Sequence, residues 1–186
     1  MKSERHLYFT TKKVGKAIWE HGMIREGDRV LIAVSGGKDS LALVRIMKER
    51  LRFVPIRYET MACHVDMGFH WSDSKKLANF FDHESVPYVI LDPPADWKGG
   101  QEDLDCFWCS WNRRKAIFDY AHTHNYNRIA FAHHMDDIIE TMLMNLFFQG
   151  EIGTMKPFQE MFEGELAIIR PLAYVEEWEL AKLSSL

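Results

Sequence analysis

The residues of this sequence best suited to chemistry are Ser35-Gly36-Gly37-Lys38-Asp39-Ser40, placed between an apolar run, Arg29 to Val34, and a helical pattern of Leu41, Leu43, Val44 and Met47. Strand, glycine turn and helix in that order make a seat for phosphate. Glycines let backbone N–H groups approach an anion without a Cβ in the way, and they tolerate φ > 0. The first turn of the helix adds unpaired N–H donors and the positive end of its dipole. Ser35 and Ser40 bring hydroxyls and Lys38 a charge. The plainer reading, a turn with Asp39 as a helix cap, leaves the combination of Ser, Lys, Asp and Ser unexplained. The spacing differs from the Walker loop, which places four residues between its glycines.

A second group is His133-His134-Met135-Asp136-Asp137-Ile138-Ile139-Glu140. Asp136 and Glu140 are four apart and Asp137 and Glu140 three apart, so on a helix they share a face. Carboxylates beside a triphosphate site can hold Mg²⁺, a cation that prefers oxygen ligands. Acidic residues also favour a helix start through the dipole alone, and both readings stay open. His133 and His134 by themselves read as structural or hydrogen-bonding groups.

The third group is Cys106 and Cys109, a Cys-x-x-Cys pair; with Cys63 they are the only cysteines. An odd count argues against a disulfide framework. The pair suits zinc, an iron–sulfur cluster or a dithiol cycle. Cys63 reads as a small hydrophobe on a buried strand.

The elements that must position these groups alternate. A helix is expected over about 5–24, with strands over about 29–34, 56–65, 87–91, 128–132 and 166–169. Helices are expected over about 73–84, 110–126 and 136–148, and one more from about 176. An acidic loop over about 92–105 delivers the cysteines. This predicts one α/β domain over residues 1–186: a parallel twisted sheet of about five strands with helices on both faces. Ligands of such sheets sit at the carboxyl ends of the strands, where Ser35–Ser40, Asp66, His133-His134 and Arg170 all fall. The net charge of −4 gives no general attraction for nucleic acid, leaving local patches at Lys12, Lys13 and Lys16, at Lys48, Arg50 and Arg52, and at Arg113, Arg114 and Lys115. No apolar run is long enough to span a bilayer and the first residues are unlike a signal peptide, so a cytoplasmic protein without membrane contact is expected.

The SGGKDS loop resembles the signature of the PP-loop ATP pyrophosphatases, and further stretches narrow the likeness. AHHMDDIIETMLMNLFF, IIRPLAYV, the Cys106-x-x-Cys109-Ser110-x-x-Arg113-Arg114 string and the early AIWEHGMIREGDRVLIAVSGGKDS are similar to the tRNA 2-thiolation branch, of the tRNA 2-thiocytidine synthetase type. The resemblance implies an adenine-nucleotide α-hydrolase type of sheet and cleavage of ATP to AMP and pyrophosphate. It implies an adenylated tRNA base that then takes sulfur from a donor such as sulfide or a cysteine desulfurase. By the same resemblance Ser35, Gly36, Gly37, Lys38, Asp39, Ser40, His133 and Arg170 bind ATP or pyrophosphate. Lys38, Asp39 and Asp137 are the catalytic candidates, with Asp137 and Asp136 for Mg²⁺. It also implies that Cys106, Cys109 and a third cysteine nearer the C-terminus hold a [4Fe-4S] cluster, and that a homodimer is possible. Here the sequence departs: no cysteine follows Cys109, and the last helix reads as cut short, so the third ligand is expected beyond Leu186. Amine transfer to another acceptor, and a non-catalytic nucleotide- or metal-binding module, are the competing expectations.

Overall fold

The side chains of the strand Arg29–Ala33 (β1) alternate between two dry layers, which is why its run of apolar residues is unbroken. Val30 and Ile32 join one buried cluster and Leu31 and Ala33 the other. In the computed structural model, which describes residues 2–69, 73–93 and 106–184, the chain runs α1 (Lys2–Glu20), β1, α2 (Lys38–Arg50), β2 (Glu59–Val65), α3 (Ser74–Glu84) and β3 (Tyr88–Leu91). It continues through α4 (Cys106–Thr123), β4 (Arg128–Ala130), α5 (Met135–Gln149), β5 (Phe158–Met161), β6 (Leu166–Ile169) and α6 (Glu177–Ser184). Most of the loop expected over about 92–105 lies outside the described residues.

The sheet has six strands in the order β3-β2-β1-β4-β6-β5. All neighbours pair parallel except β5 and β6, which form an antiparallel hairpin. β5 is therefore a sixth strand that the sequence reading placed in a loop. Its residues Phe-Gln-Glu-Met pair on one side only, and an edge strand needs no apolar alternation. The first helix also ends earlier than expected, at Glu20. The cysteines open α4, whose start was expected nearer residue 110.

Helices α1, α2, α3 and α6 send Val14, Leu43, Phe81 and Leu180 into the larger core, while α4 sends Ile117 and Ala121 into the core on the other face. The strand order reverses between β1 and β4. At the amino ends of these two strands a buried ion pair fixes the junction: Arg128 Nε lies 3.2 Å from Asp28 Oδ2. Asp28 also accepts hydrogen bonds from Asn127 Nδ2 at 2.8 Å and from the Arg25 backbone N–H at 2.7 Å. Replacing Asp28 with Ala leaves a guanidinium buried without its partner. Urea unfolding of that variant is expected to show a loss of about 3–5 kcal/mol; a loss below 1 kcal/mol would remove this pair from the account of the fold.

Candidate active site at the carboxyl ends of β1 and β4

The phosphate loop follows β1 directly. Gly36 has φ +90°, and a Cβ there would meet nothing nearer than Leu77 at 3.6 Å, so backbone conformation rather than space requires glycine. Gly37 is different: its φ of −75° is ordinary, and it serves as the N-cap of α2 without a side chain to cap with. The first-turn N–H groups of α2 are thus left for a ligand. Ser40 Oγ donates to Gly37 O at 2.8 Å, and Ser35 Oγ lies 3.3 Å from both Ser40 Oγ and the Gly37 N–H. These bonds fold the loop around its own hydroxyls.

A cleft of about 320 Å³ opens beside it, lined by Ser35, Gly37, Asp39 and Ser40 from the loop, Ser110, Arg113 and Arg114 from α4, and His133 and Asp137 from the β4–α5 connection. Asp39 Oδ1 is buried without a hydrogen-bond partner, and so is Arg113 Nε. A buried carboxylate oxygen with no donor is costly unless a cation or a ligand hydrogen reaches it. Asp137 spends one oxygen on its own helix, Oδ2 accepting the His134 backbone N–H at 2.8 Å.

Lys38 does not point into free solution. Its ammonium lies 2.8 Å from Glu177 Oε1 and 3.2 Å from Asp39 Oδ2. The hydrogen bond to Glu177, with Asp39 adding to it, raises the Lys38 pKa above its ordinary value. The Glu177 backbone N–H in turn donates to Asp136 Oδ2 at 2.8 Å, so Asp136 faces the start of α6 and is absent from the cleft lining. Glu177 went unrecognised from sequence: it is 139 positions from Lys38, and a glutamate at a helix start has the dipole as its ordinary explanation.

His133 stands on the far wall, backed by Arg170, which does not itself line the cleft. Arg170 Nε donates to His133 Nδ1 at 3.3 Å and Arg170 Nη1 to Lys156 O at 2.5 Å. Burial first, then the Arg170 charge, pushes the His133 pKa down to about 4. A second cleft of about 450 Å³ adjoins the loop on its β2 side, lined by Gly36, Leu41, His64, Val65, Met67 and Phe69 among others. There His64 Nδ1–H donates to Val34 O at 2.8 Å, and its buried Nε2 has no partner. Arg113 lines both clefts. Asp66, also noted at a strand end, accepts from Ser74 Oγ and the Gly68 N–H. Of the basic patches, Lys13 pairs with Glu179, Lys16 with Glu20 and Lys48 with Glu84, while Arg113 and Arg114 line the cleft.

Cys106 and Cys109 sit in the first turn of α4, the first exposed and the second half-buried. Three apart on a helix, they share a face. Arg113 Nη2 is 3.8 Å from Cys109 Sγ. Cys63 is not a partner for them: it is fully buried in β2, where burial pushes its thiol up to about 12. Among the described residues no group of three or more His, Cys, Asp or Glu is gathered to hold a metal ion.

A family profile described as the PP-loop domain matches residues 8–185, nearly the whole chain. The chain belongs to the PP-loop family. Curated PP-loop relatives include a tRNA-cytidine(32) 2-sulfurtransferase of Geotalea daltonii, 36% identical over 160 residues that cover 83% of this chain and 63% of the relative. The enzyme of the same name from Shewanella sediminis is 36% identical over 149 residues, covering 78% of this chain and 47% of the relative. The chain thus spans about half to somewhat under two thirds of the length of these relatives. Among solved structures it is similar to a U34-tRNA thiolase of Methanococcus maripaludis with its [4Fe-4S] cluster, with TM-score 0.78 and 22% identity over 98% of this chain and 63% of that one. It is less similar to an NAD+ synthetase of Burkholderia pseudomallei, with TM-score 0.52 and 15% identity over 100% of this chain and 75% of that one. These two likenesses support the fold.

A histidine held neutral has a linkage consequence. The unfolded imidazole titrates near 6.5 and the folded one at about 4, so as pH falls the unfolded state binds the proton first. This contribution to stability is present above about pH 6.5 and is lost as pH falls toward 4. Denaturant midpoints measured across that range are expected to fall more steeply in the unaltered chain than in His133→Asn; equal slopes would place His133 in open solvent.

Proposed function

We propose that this PP-loop domain activates a tRNA base, cytidine or a related one, with ATP and replaces its carbonyl oxygen with sulfur, releasing pyrophosphate and AMP. The observation that carries the reading is that one helix bears both the cysteine pair and residues of the phosphate cleft. α4 begins with the Cys106–Cys109 pair and, one turn after Cys109, lines the phosphate cleft with Arg113 and Arg114. The names of the curated relatives support the acceptor and the sulfur.

In the first step the base carbonyl oxygen attacks the α-phosphorus of ATP, and the bond to the β-phosphate oxygen breaks. The N–H groups at the start of α2, with Ser35 and Ser40, receive the leaving pyrophosphate, and Lys38 leaves Glu177 to neutralise it. Arg113 and Arg114 add positive charge to the walls, with Arg170 behind His133. The adenosine takes the cleft on the β2 side, against Val65, Met67 and Phe69. Asp39 and Asp137 would hold Mg²⁺; the orphaned Asp39 Oδ1 fits such a cation, which when bound would offset charge on the phosphates. In the second step a hydrosulfide adds to the activated carbon, and AMP leaves with the former carbonyl oxygen. The thiolated base then loses the proton, with no net oxidation. His133, neutral and carrying its proton on Nε2, serves as a hydrogen-bond donor rather than as an acid.

Cys106 and Cys109 offer two thiolates for an iron–sulfur cluster of the kind named for the methanococcal thiolase. The described residues supply no third, so the pair is assigned only the place where sulfur enters, from sulfide or a cysteine desulfurase. Among the described residues no helix is long and apolar enough to cross a membrane, in keeping with a cytoplasmic partner such as tRNA. A homodimer belongs to the same reading: α5 buries none of its side chains and exposes Phe147 at 77% and Phe148 at 83%. With Met144 and Ile152, also exposed, it presents apolar side chains of the kind a subunit interface covers.

Lys38→Ala is expected to cut tRNA-dependent pyrophosphate release by at least about a hundredfold with the circular dichroism spectrum and melting point kept. Turnover at the normal rate in that variant would refute the phosphate-loop assignment. Cys106→Ser and Cys109→Ser are expected to keep pyrophosphate release and lose the thiolated nucleoside in digested tRNA; sulfur transfer that survives both changes would free the cysteines of this role.

A further inference from the structure

A third cleft, of about 400 Å³, lies between α4 and the β5–β6 hairpin, apart from the phosphate loop: no residue of Ser35–Ser40 lines it. Its walls are mostly aromatic and cationic, with Trp111 and Phe118 from α4, Phe131 after β4, Phe162 from the hairpin tip, and Arg114 and Arg170 at its edges. Phe131, His133 and Arg114 also line the phosphate cleft, so the two spaces share a wall.

Phe162 is held in a way that core packing does not explain. With Glu163 it adopts the left-handed conformation, φ +50° and +56°, a region that bulky residues seldom occupy. Its ring remains 61% exposed, and Trp111 opposite is 55% exposed. The Phe162 ring meets Phe118 edge-on, centroids 6.1 Å apart, which leaves ring faces available in the cleft. At the seam between the clefts, Arg170 donates to His133 Nδ1 at 3.3 Å. The His133 Nε2–H is then a donor at the wall common to both spaces.

We propose that this third cleft is the seat of the acceptor nucleotide, unstacked from its RNA and held between Trp111 and Phe162, with Arg114 and Arg170 beside its phosphate and carbonyl groups. The inference rests on the function proposed above and names where its second substrate sits. Aromatic faces with flanking guanidinium groups take a splayed-out base better than a peptide, because each base offers a π face and an anionic backbone. The phosphate loop then lies between two nucleotides, ATP entering from the β2 side and the acceptor from the hairpin side. The two are brought together at His133.

The test uses the full chain with an anticodon stem–loop RNA carrying pyrrolocytidine in its loop, and in parallel an unmodified tRNA transcript. Trp111→Ala and Phe162→Ala are expected to weaken binding of the stem–loop by roughly 5- to 100-fold, the scale of one lost base stack, and to abolish the change in probe fluorescence on binding. ATP affinity should stay within about twofold, and Phe162→Trp should restore RNA binding. Both side chains are exposed, so melting points should not move. Unchanged RNA binding and thiolation in both alanine variants would overturn the inference while leaving the proposed function intact. Loss of ATP affinity instead would also overturn it, by making this the adenine site. A chain that stacks the probe base as expected but forms no thiolated nucleoside would uphold this seat and sink the sulfur-transfer reading.

Discussion

The pairing of β1 with β4 is the constraint from which the site follows. Only three residues of each strand pair, Val30 with Arg128, Leu31 with Ile129 and Ile32 with Ala130. Yet this is where the strand order reverses and where the chain changes faces. α2 leaves the end of β1 over one face, and α4 returns to β4 over the other. Two connections that depart in opposite directions leave a crevice between them, and a ligand can settle there without displacing any core residue. The short ladder is reinforced at its amino ends by the buried Asp28–Arg128 pair with its additional hydrogen bonds. The end that needs rigidity is locked, and the end that needs access is left open.

What could be read from sequence follows the same division. Buried parallel strands advertise themselves as apolar runs, and a phosphate loop must combine glycines with polar residues at a strand end; both were legible. His133 was placed by topology, which carries strand ends to one edge, and it does line the phosphate cleft. Arg170, placed by the same rule, lines the cleft between α4 and the β5–β6 hairpin. Arg113 and Arg114 reach the site from α4 and could equally be read as a solvent face. The edge strand β5 was not legible, since Gln159 and Glu160 answer to solvent as much as to the sheet. Gly37 looked like a second conformational glycine and is instead an uncapped helix start. Glu177 was invisible because nothing local distinguishes a carboxylate that caps a helix from one that also holds a lysine across the cleft.

That lysine shows how the site balances its charges. Arg113 and Arg114 line the phosphate cleft, Lys38 stands beside its loop and Arg170 behind His133, and Asp39, Asp137 and Glu177 answer this positive charge in different ways. Asp39 is partly buried and adjacent in sequence, so it stays with the loop whatever binds. Glu177 is exposed and belongs to α6, so its bond to Lys38 is cheap to break. Asp137 is tied to the start of α5 by the His134 N–H. Under the proposed function, a polyphosphate entering the cleft displaces the one carboxylate that solvent can readily accept and leaves Asp39 and Asp137 in place.

The release of Lys38 also reaches beyond the loop. The backbone of Glu177 is fastened to Asp136, and Asp136 lies in the first turn of α5, while Leu180 of α6 lies in the large core. The first turn of α6 is therefore held to the β4–α5 connection through its main chain even when its side chain lets go. Binding of phosphate can swing one glutamate without loosening the helix that carries it. The geometry of His133 and Asp137 on the opposite wall is then preserved while the charge on Lys38 changes partners.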